Sequence, residues 1–280
     1  MLKKKQSVIS DSVVTDTWRR ELKESGYETP KISRWDYIKF KLLTRAWRRI
    51  LRHTRLRRCR SHRALEFGCG GGAHIVPLAV NGWACTGIDC SPEVLSRAQQ
   101  YVKRVNEVCV GPKIDITLKC ADFLNYKPPS EGFDLTFQFG VLEHFLDSEE
   151  RFQYVRKMLD CTRPGGFIVS AVPNGCHVLR REQREKGLGG YNIPEIDYTP
   201  EMIIHEMEQA GGCKVKVLPH DLFGYLKVKD GSAWQLRTNR ILYLLGQIPL
   251  PKLFPFRFVK RHAYWWIAIA KKPVIDNLAL

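Results

Sequence analysis

In the stretch ALEFGCGGGAHIVPLA, from Ala64 to Ala79, an acidic side chain closes an apolar run and four glycines then fill five positions. Glycine tolerates positive φ and has no Cβ, so a turn built this way lets a ligand lie against bare backbone. A helix starting directly behind it adds unpaired N–H groups. The chemistry to expect is the binding of a nucleotide-like molecule over the carboxyl ends of strands. Two classes fit the turn by itself. Gly68, Gly70 and Ala73 satisfy the dinucleotide pattern G-x-G-x-x-G/A, which would suit an NAD-dependent oxidoreductase or a flavin enzyme. That reading has no use for Glu66, two residues ahead of the first glycine.

Such a turn has to be held between a strand and a helix, and the flanking sequence supplies both. RALEF (63–67) reads as a strand, AHIVPLAVN (73–81) as the helix behind it, and WACTGID (83–89) as a second strand. Ser91 before Pro92 has the chemistry of an N-cap and predicts a helix to about Val105. KIDITLKC (113–120) and FDLTFQF (133–139) read as strands three and four. Asp147 and Ser148 are capping candidates, with Glu149 and Glu150 in the first turn. Phe152, Val155 and Leu159 follow at helical spacing until RPGG (163–166) stops the helix. FIVSAVP (167–173), a helix opened by Thr199 and Pro200 and ended at Gly211 and Gly212, CKVKVL (213–218) and AYWWIAIAKK (263–272) complete the pattern. Strands alternating with helices predict an α/β fold with a mostly parallel sheet covered on both faces. Insertions fall at about 174–198 and 220–260.

LEFGCGGG resembles the E/D-x-G-x-G-x-G first motif of class I S-adenosylmethionine-dependent methyltransferases. Further motifs follow in order: TGIDCSP resembles the second and CADFLNY the third. FDLTFQFGVLEHF resembles the fourth strand and its loop, and RPGGFIVSAVPN the entry to the fifth. The resemblance spans roughly residues 60–173 and the last apolar strand. It implies a Rossmann-like sheet of seven strands, the last antiparallel, and S-adenosylmethionine as cofactor. It places Glu66 near the methionine end of that cofactor and Asp89 on both ribose hydroxyls. Asp122 would accept from the adenine amino group with Phe123 beside the ring, and Gly68, Cys69, Gly70, Gly72, Cys90, Ala121, Phe139 and Gly140 would complete the set.

Methyl transfer from a sulfonium is an in-line displacement, so the protein aligns and excludes water, and a base is needed only where the acceptor keeps its proton. The resemblance puts Glu143 and His144 near the reacting methyl, with His144 as candidate base or orienter; the alternative is that LEHF shapes the loop. Some quinone-pathway O-methyltransferases of this superfamily carry a metal on a Glu-x-x-Glu-His set here. Gly140 stands where the first Glu would fall, so no metal is expected. Asp89 and Asp122 also suit turn and cap roles, and Cys69 reads as a small side chain rather than a nucleophile.

At 280 residues and 44% hydrophobic the chain can bury a sizeable core. It has no uninterrupted apolar run of about 18 residues, and its N-terminal lysines precede no apolar segment, so neither secretion nor a membrane span is expected. Nine cysteines, an odd number without a C-x-x-C pair, fit a reduced cytoplasmic setting. The formal charge of +16 is concentrated in residues 1–63, which hold 19 Lys or Arg and 6 Asp or Glu. In KFKLLTRAWRRILRHTRLRR (39–58), Phe40, Leu43, Trp47 and Ile50 share a helical stripe, with Lys41, Arg45, Arg48, Arg49, Arg52 and Arg55 turned away from it. The organisation expected is a basic helical cap, 1–62, on a catalytic domain, 63–280. The cap could cover the cofactor, lie peripherally on an anionic membrane, or track RNA phosphates.

RILYLLGQIPLPKLFPFRFVKRH (240–262) is apolar, proline-broken and basic at its end. With the arm it favours a small-molecule, sugar or lipid-linked acceptor methylated at O or N. RNA methylation and a nicotinamide oxidoreductase rank behind it. Trp35, Tyr37, Tyr191 and Trp234 lie in segments expected to cap the pocket. The sequence does not give the oligomeric state.

Overall fold

The computed structural model describes residues 32–56, 62–185, 194–226, 232–246 and 253–274, so the expectations placed on 1–31 and on Tyr191 lie outside the described residues. Strands β1 (Arg63–Phe67), β2 (Ala84–Asp89), β3 (Ile116–Cys120), β4 (Phe133–Phe139), β5 (Thr162–Pro173), β6 (Cys213–His220) and β7 (Trp265–Lys271) form one sheet, ordered β3-β2-β1-β4-β5-β7-β6. β7 runs antiparallel to β5 and β6, and the other pairs are parallel. The chain order reverses between β1 and β4, and there the carboxyl ends of a doubly wound sheet open a crevice.

The central strands are apolar along their length because both faces are covered. Leu65, Phe67 and Ile88 join Tyr154, Val155 and Met158 in one core, while Ala64, Leu135 and Phe137 join the N-terminal helices in the other. Those helices are α1 (Arg34–Leu42) and α2 (Arg45–Thr54). The stripe expected over 39–58 is therefore broken. Leu43 takes a positive φ of 59° as it ends α1, and the Thr44 hydroxyl accepts from the Trp47 N–H to start α2. The apolar half of the expectation holds, with Leu43, Trp47 and Ile50 buried, the last two contributing about 1.5–3 kcal/mol each. The charged half needs correcting. Arg45 is buried, and the Arg49 guanidinium turns inward to donate to the Pro219 carbonyl, because α2 lies against the end of β6. On α1, Trp35, Ile38 and Leu42 stay exposed.

Helices α3 (Ile75–Val80), α4 (Pro92–Val108), α5 (Ser148–Cys161), α6 (Val178–Glu185), α7 (Pro200–Gln209), α8 (Ala233–Gly246) and α9 (Phe256–His262) complete the described helices of four residues or more. The caps read from sequence are in place. Ser91 accepts from the Val94 N–H at 3.3 Å, Asp147 from those of Glu149 and Glu150 at 2.7 and 3.2 Å, and Thr199 from that of Met202 at 3.2 Å. Such a cap typically contributes about 1 kcal/mol. Boundaries moved where a turn interrupts the pattern. β3 starts at Ile116 rather than Lys113, and RPGG lies inside the start of β5, where the pairing with β4 shifts register between Phe133 and Leu135.

Candidate active site

The turn after β1 is left-handed at Gly68, Gly70 and Gly72, with φ of 65°, 51° and 84°. At Gly68 a Cβ would stand 2.5 Å from Val141 Cγ2, so the β4 loop closes directly over the turn. Glu66, 1% exposed, lies close to Cys69 of this turn, and its Oε2 has no hydrogen-bond partner among the described residues. Burial and then the neighbouring Asp89 carboxylate hold the Glu66 carboxyl well above the usual range, against a hydrogen bond from the Ile75 N–H. Asp89 accepts from the Gly70 N–H through Oδ2 and from the Ser91 N–H through Oδ1, each at 3.0 Å. It thereby ties the ends of β1 and β2 together. Cys69 is turned away: its Sγ packs on Gly87, burial pushes its thiol up, and its N–H and C=O bond to Ile88 and Gly72. It shapes the turn.

On the β3 side the Ala121 N–H donates to the Asp89 carbonyl at 3.1 Å, which sets Cys90, Ala121, Asp122 and Phe123 along one edge. Cys90 and Asp122 are exposed. Asp122 accepts from the Leu124 N–H at 2.9 Å and from Asn125 Nδ2 at 3.0 Å, so it does organise its own turn; carboxylate lone pairs remain. Phe123 packs on Phe67, Phe145 and Tyr154, with centroids 5.9, 5.6 and 4.3 Å apart. Tyr154 escaped the sequence reading. It sits on the core face of α5, fully buried, with a hydroxyl that finds no partner among the described residues, close enough to Glu143, Glu66 and Asp89 for their charges to raise it further after burial.

Past β4, Gly140 is hemmed between the Trp265 ring and the Glu143 carboxyl, at 3.1 and 3.5 Å from the position of a Cβ. Phe139 stacks on His74 at 4.3 Å between ring centres. His74 keeps solvent contact, yet protein crowds it enough to push its imidazole down to about 4, as suits a side chain lining a cleft rather than an open surface. Glu143 and His144 occupy a single 3-10 turn and both are buried. Burial lifts the Glu143 carboxyl to about 8, opposed by its own backbone N–H and reinforced by Glu195. Burial pushes the His144 imidazole down, so it is neutral near pH 7. Its Nδ1 lies 3.3 Å from the Pro194 carbonyl oxygen. A carbonyl only accepts, so Nδ1 carries the hydrogen and Nε2 is the acceptor nitrogen.

The partners of this turn come from the first insertion. Ile196 N–H donates to the Glu143 carbonyl at 2.9 Å, and Glu143, His144 and Glu195 bring donor atoms within 4.8 Å of one another. Neither Glu195 nor Arg180 was singled out in the sequence, because the pairing spans fifty residues. The three donors could surround a cation, but the Arg180 guanidinium already pairs with Glu195 and reaches Asp197 at 3.5 Å. Behind them Glu206 accepts from Tyr198 and from Arg151, both at 2.7 Å, and Arg151 donates to the carbonyls of Phe145 and Leu146. That network fixes the loop after His144.

A glycine cradle beside an uncompensated buried carboxylate fits a cationic nucleoside, and the comparisons agree. Residues 64–166 match the family described as "Methyltransferase domain". The ubiquinone biosynthesis O-methyltransferase of Mesorhizobium japonicum is 27% identical over 163 residues, 49% of this chain and 61% of that protein. The protein of the same name from Rhizobium leguminosarum bv. trifolii is 33% identical over 112 residues, 40% of each chain. This chain thus spans less than two thirds of these relatives. Among solved structures, Haemonchus contortus phosphoethanolamine N-methyltransferase 2 in complex with S-adenosyl-L-methionine superposes with a TM-score of 0.53 at 16% identity, over 80% of this chain and 51% of that one. A Mesorhizobium loti S-adenosylmethionine-dependent methyltransferase gives 0.52 at 16%, over 82% and 98%. The nicotinamide reading of the glycine turn gains nothing from any of these. Residues 64–166 thus carry a methyltransferase domain, and motifs and strand order are similar to those of the class I S-adenosylmethionine-dependent methyltransferases.

Proposed function

We propose that this protein methylates an oxygen atom of a small-molecule acceptor, with residues 63–280 as the catalytic domain and 1–62 as its cap. The observation that carries the reading is the buried Glu66 carboxylate, whose Oε2 has no partner among the described residues and which lies beside a turn of three left-handed glycines. When bound, S-adenosylmethionine supplies an electrophilic methyl on a positively charged sulfur. Glu66 would hold its methionine end, Asp89 its ribose and Asp122 with Phe123 its adenine, while Ala121, Cys90, Phe139 and Gly140 wall the cleft.

The choice of oxygen rests on His144. Its tautomer, fixed by the Pro194 carbonyl, leaves Nε2 able to take the proton of an acceptor hydroxyl as that oxygen attacks. The imidazolium so formed is stabilised by Glu195, while Glu143 keeps its own proton at neutral pH and adds no second negative charge. Phe139 and Trp265, both partly buried, would help to keep water from the reacting centre. The similarity to two O-methyltransferases supports the same acceptor atom. Arg45 and Arg49, two of the charges that had suggested RNA, are engaged inside the protein, which leaves the arm best suited to closing the pocket.

Labelled S-adenosylmethionine incubated with cell extract identifies the fraction that accepts the methyl group. His144→Ala should then lower turnover about 100-fold or more with cofactor binding unchanged. Turnover within a few-fold of the parent would reject His144 as the base.

A further inference from the structure

The insertion between β6 and β7 exposes apolar side chains along both of its described helical segments. On α8, Trp234, Ile241 and Leu244 lie on one face at helical spacing and are all exposed, Trp234 by 74% and Leu244 by 64%. Arg237 is exposed on the same face. Beyond it Leu253, Phe254, Phe256 and Phe258 are exposed in turn, with Arg257 and Arg261 among them. Single exposed apolar side chains need no explanation, but seven within one insertion do. Residues 231–264 also contain six Lys or Arg and no Asp or Glu.

Charge decides what such a surface fits. In a two-fold contact between copies the patch would face itself, setting Arg237, Arg257 and Arg261 against their own equivalents with no carboxylate between, in a chain of formal charge +16. A nucleic acid would use the arginines and aromatic rings but gain nothing from Ile241, Leu244 and Leu253. A bilayer with anionic headgroups uses all of it, since apolar side chains enter the interface while guanidinium groups meet lipid phosphate. At fourteen residues α8 is too short to span, and no described helix is long and apolar enough to cross a membrane.

The patch is anchored near the catalytic crevice. His220 and Trp265, where the insertion leaves and rejoins the sheet, pair with each other, and Trp265 pairs on its other side with Pro173 at the end of β5. The buried Asn174 amide donates to the carbonyls of Lys260 and Ala263 at 2.9 and 2.7 Å, and Lys260 pairs with Glu201 at 2.6 Å. We infer that the described parts of this insertion, 232–246 and 253–262, dock the protein on the surface of an anionic phospholipid bilayer, with Trp234, Ile241, Leu244 and the run at 253–258 entering the interface. The docking replaces the arm as the membrane-facing element, because the Trp47 and Ile50 stripe of α2 is buried. It stands independently of the proposed acceptor chemistry.

Sedimentation of the full chain with vesicles tests it, using phosphatidylcholine alone and phosphatidylcholine with about 30% phosphatidylglycerol. The parent should pellet with the mixed vesicles and stay in solution with the neutral ones. The combined variant Trp234→Ser, Ile241→Ser, Leu244→Ser should bind about tenfold more weakly or worse, with far-UV circular dichroism and S-adenosylmethionine affinity unchanged. Arg237→Gln with Arg257→Gln and Arg261→Gln should abolish the preference for phosphatidylglycerol. Trp35→Ser with Ile38→Ser and Leu42→Ser, on the exposed face of α1, should leave binding intact. The inference is overturned if the parent ignores both vesicles, if only the α1 variant loses binding, or if the serine variant breaks a dimer or an RNA complex while vesicle binding persists.

Discussion

Replacing Glu66 by Gln should move cofactor affinity and fold stability in opposite directions. The Glu66 carboxyl is buried beside the Asp89 carboxylate, and its Oε2 has no partner among the described residues. Its ionised form is therefore a liability to the fold, and the neutral, nearly isosteric amide relieves it. Holding a cationic cofactor, the same carboxylate is an asset. A hydrogen bond to a charged group contributes roughly 1.5–3 kcal/mol net, which corresponds to a loss of about 10- to 150-fold in affinity when the charge is removed. Isothermal titration with S-adenosylmethionine and thermal melts of the ligand-free protein at about pH 7.5–8 read both effects. The Glu66→Gln variant should bind at least about tenfold more weakly and melt higher. Affinity within threefold of the parent would mean that Oε2 does not face the cofactor's positive charge, and the reasoning would fail.

Glu143 carries a pH signature of its own. With its carboxyl at about 8 in the fold against 4.5 in the unfolded chain, the native state holds the extra proton between those values, so stability must fall as pH rises through that window. The full shift corresponds to about 5 kcal/mol at most. Glu143→Gln should gain thermal stability over the parent progressively from about pH 5 to about pH 8 in circular dichroism melts, and an offset that does not change with pH would refute it. At Gly68, φ of 65° and the 2.5 Å approach of Val141 leave no room for a methyl group. Gly68→Ala should cost about 1–3 kcal/mol, lowering Tm by several degrees and weakening cofactor binding, whereas Gly71→Ala, with open space around its Cβ position, should be tolerated. Equal melting temperatures for the two variants would contradict the strain assigned to the turn.

The sheet could be read almost entirely from the sequence because each of its strands is bounded by local chemistry. RALEF and FDLTFQF are found with the expected ends, and Ser91, Asp147 and Thr199 cap the helices that their side chains announce. The arm was legible in its apolar face alone. Thr44 was a capping signal inside what looked like one helix, and the inward turn of Arg45 and Arg49 depends on Asp221 and Pro219, 170 residues or more away. The site divides in the same way. Glu66, Asp89 and the glycines belong to one local strand-turn-helix pattern and its neighbour. Glu195, Arg180 and the Pro194 carbonyl reach Glu143 and His144 only through the path of an insertion, which no spacing encodes. Tyr154 was hidden for another reason: on the buried stripe of α5 a tyrosine reads as packing, and only the missing partner of its hydroxyl sets it apart.

Asn174 opens the first insertion, and its side chain closes the second, accepting from Cys176 N–H and Trp266 Nε1 while donating to Lys260 and Ala263. Both segments that shape the mouth of the crevice hang from one fully satisfied amide. Natural variation or deliberate exchange can therefore rewrite the chain between these knots without loosening the strands beneath, whereas altering the knot itself disturbs both at once.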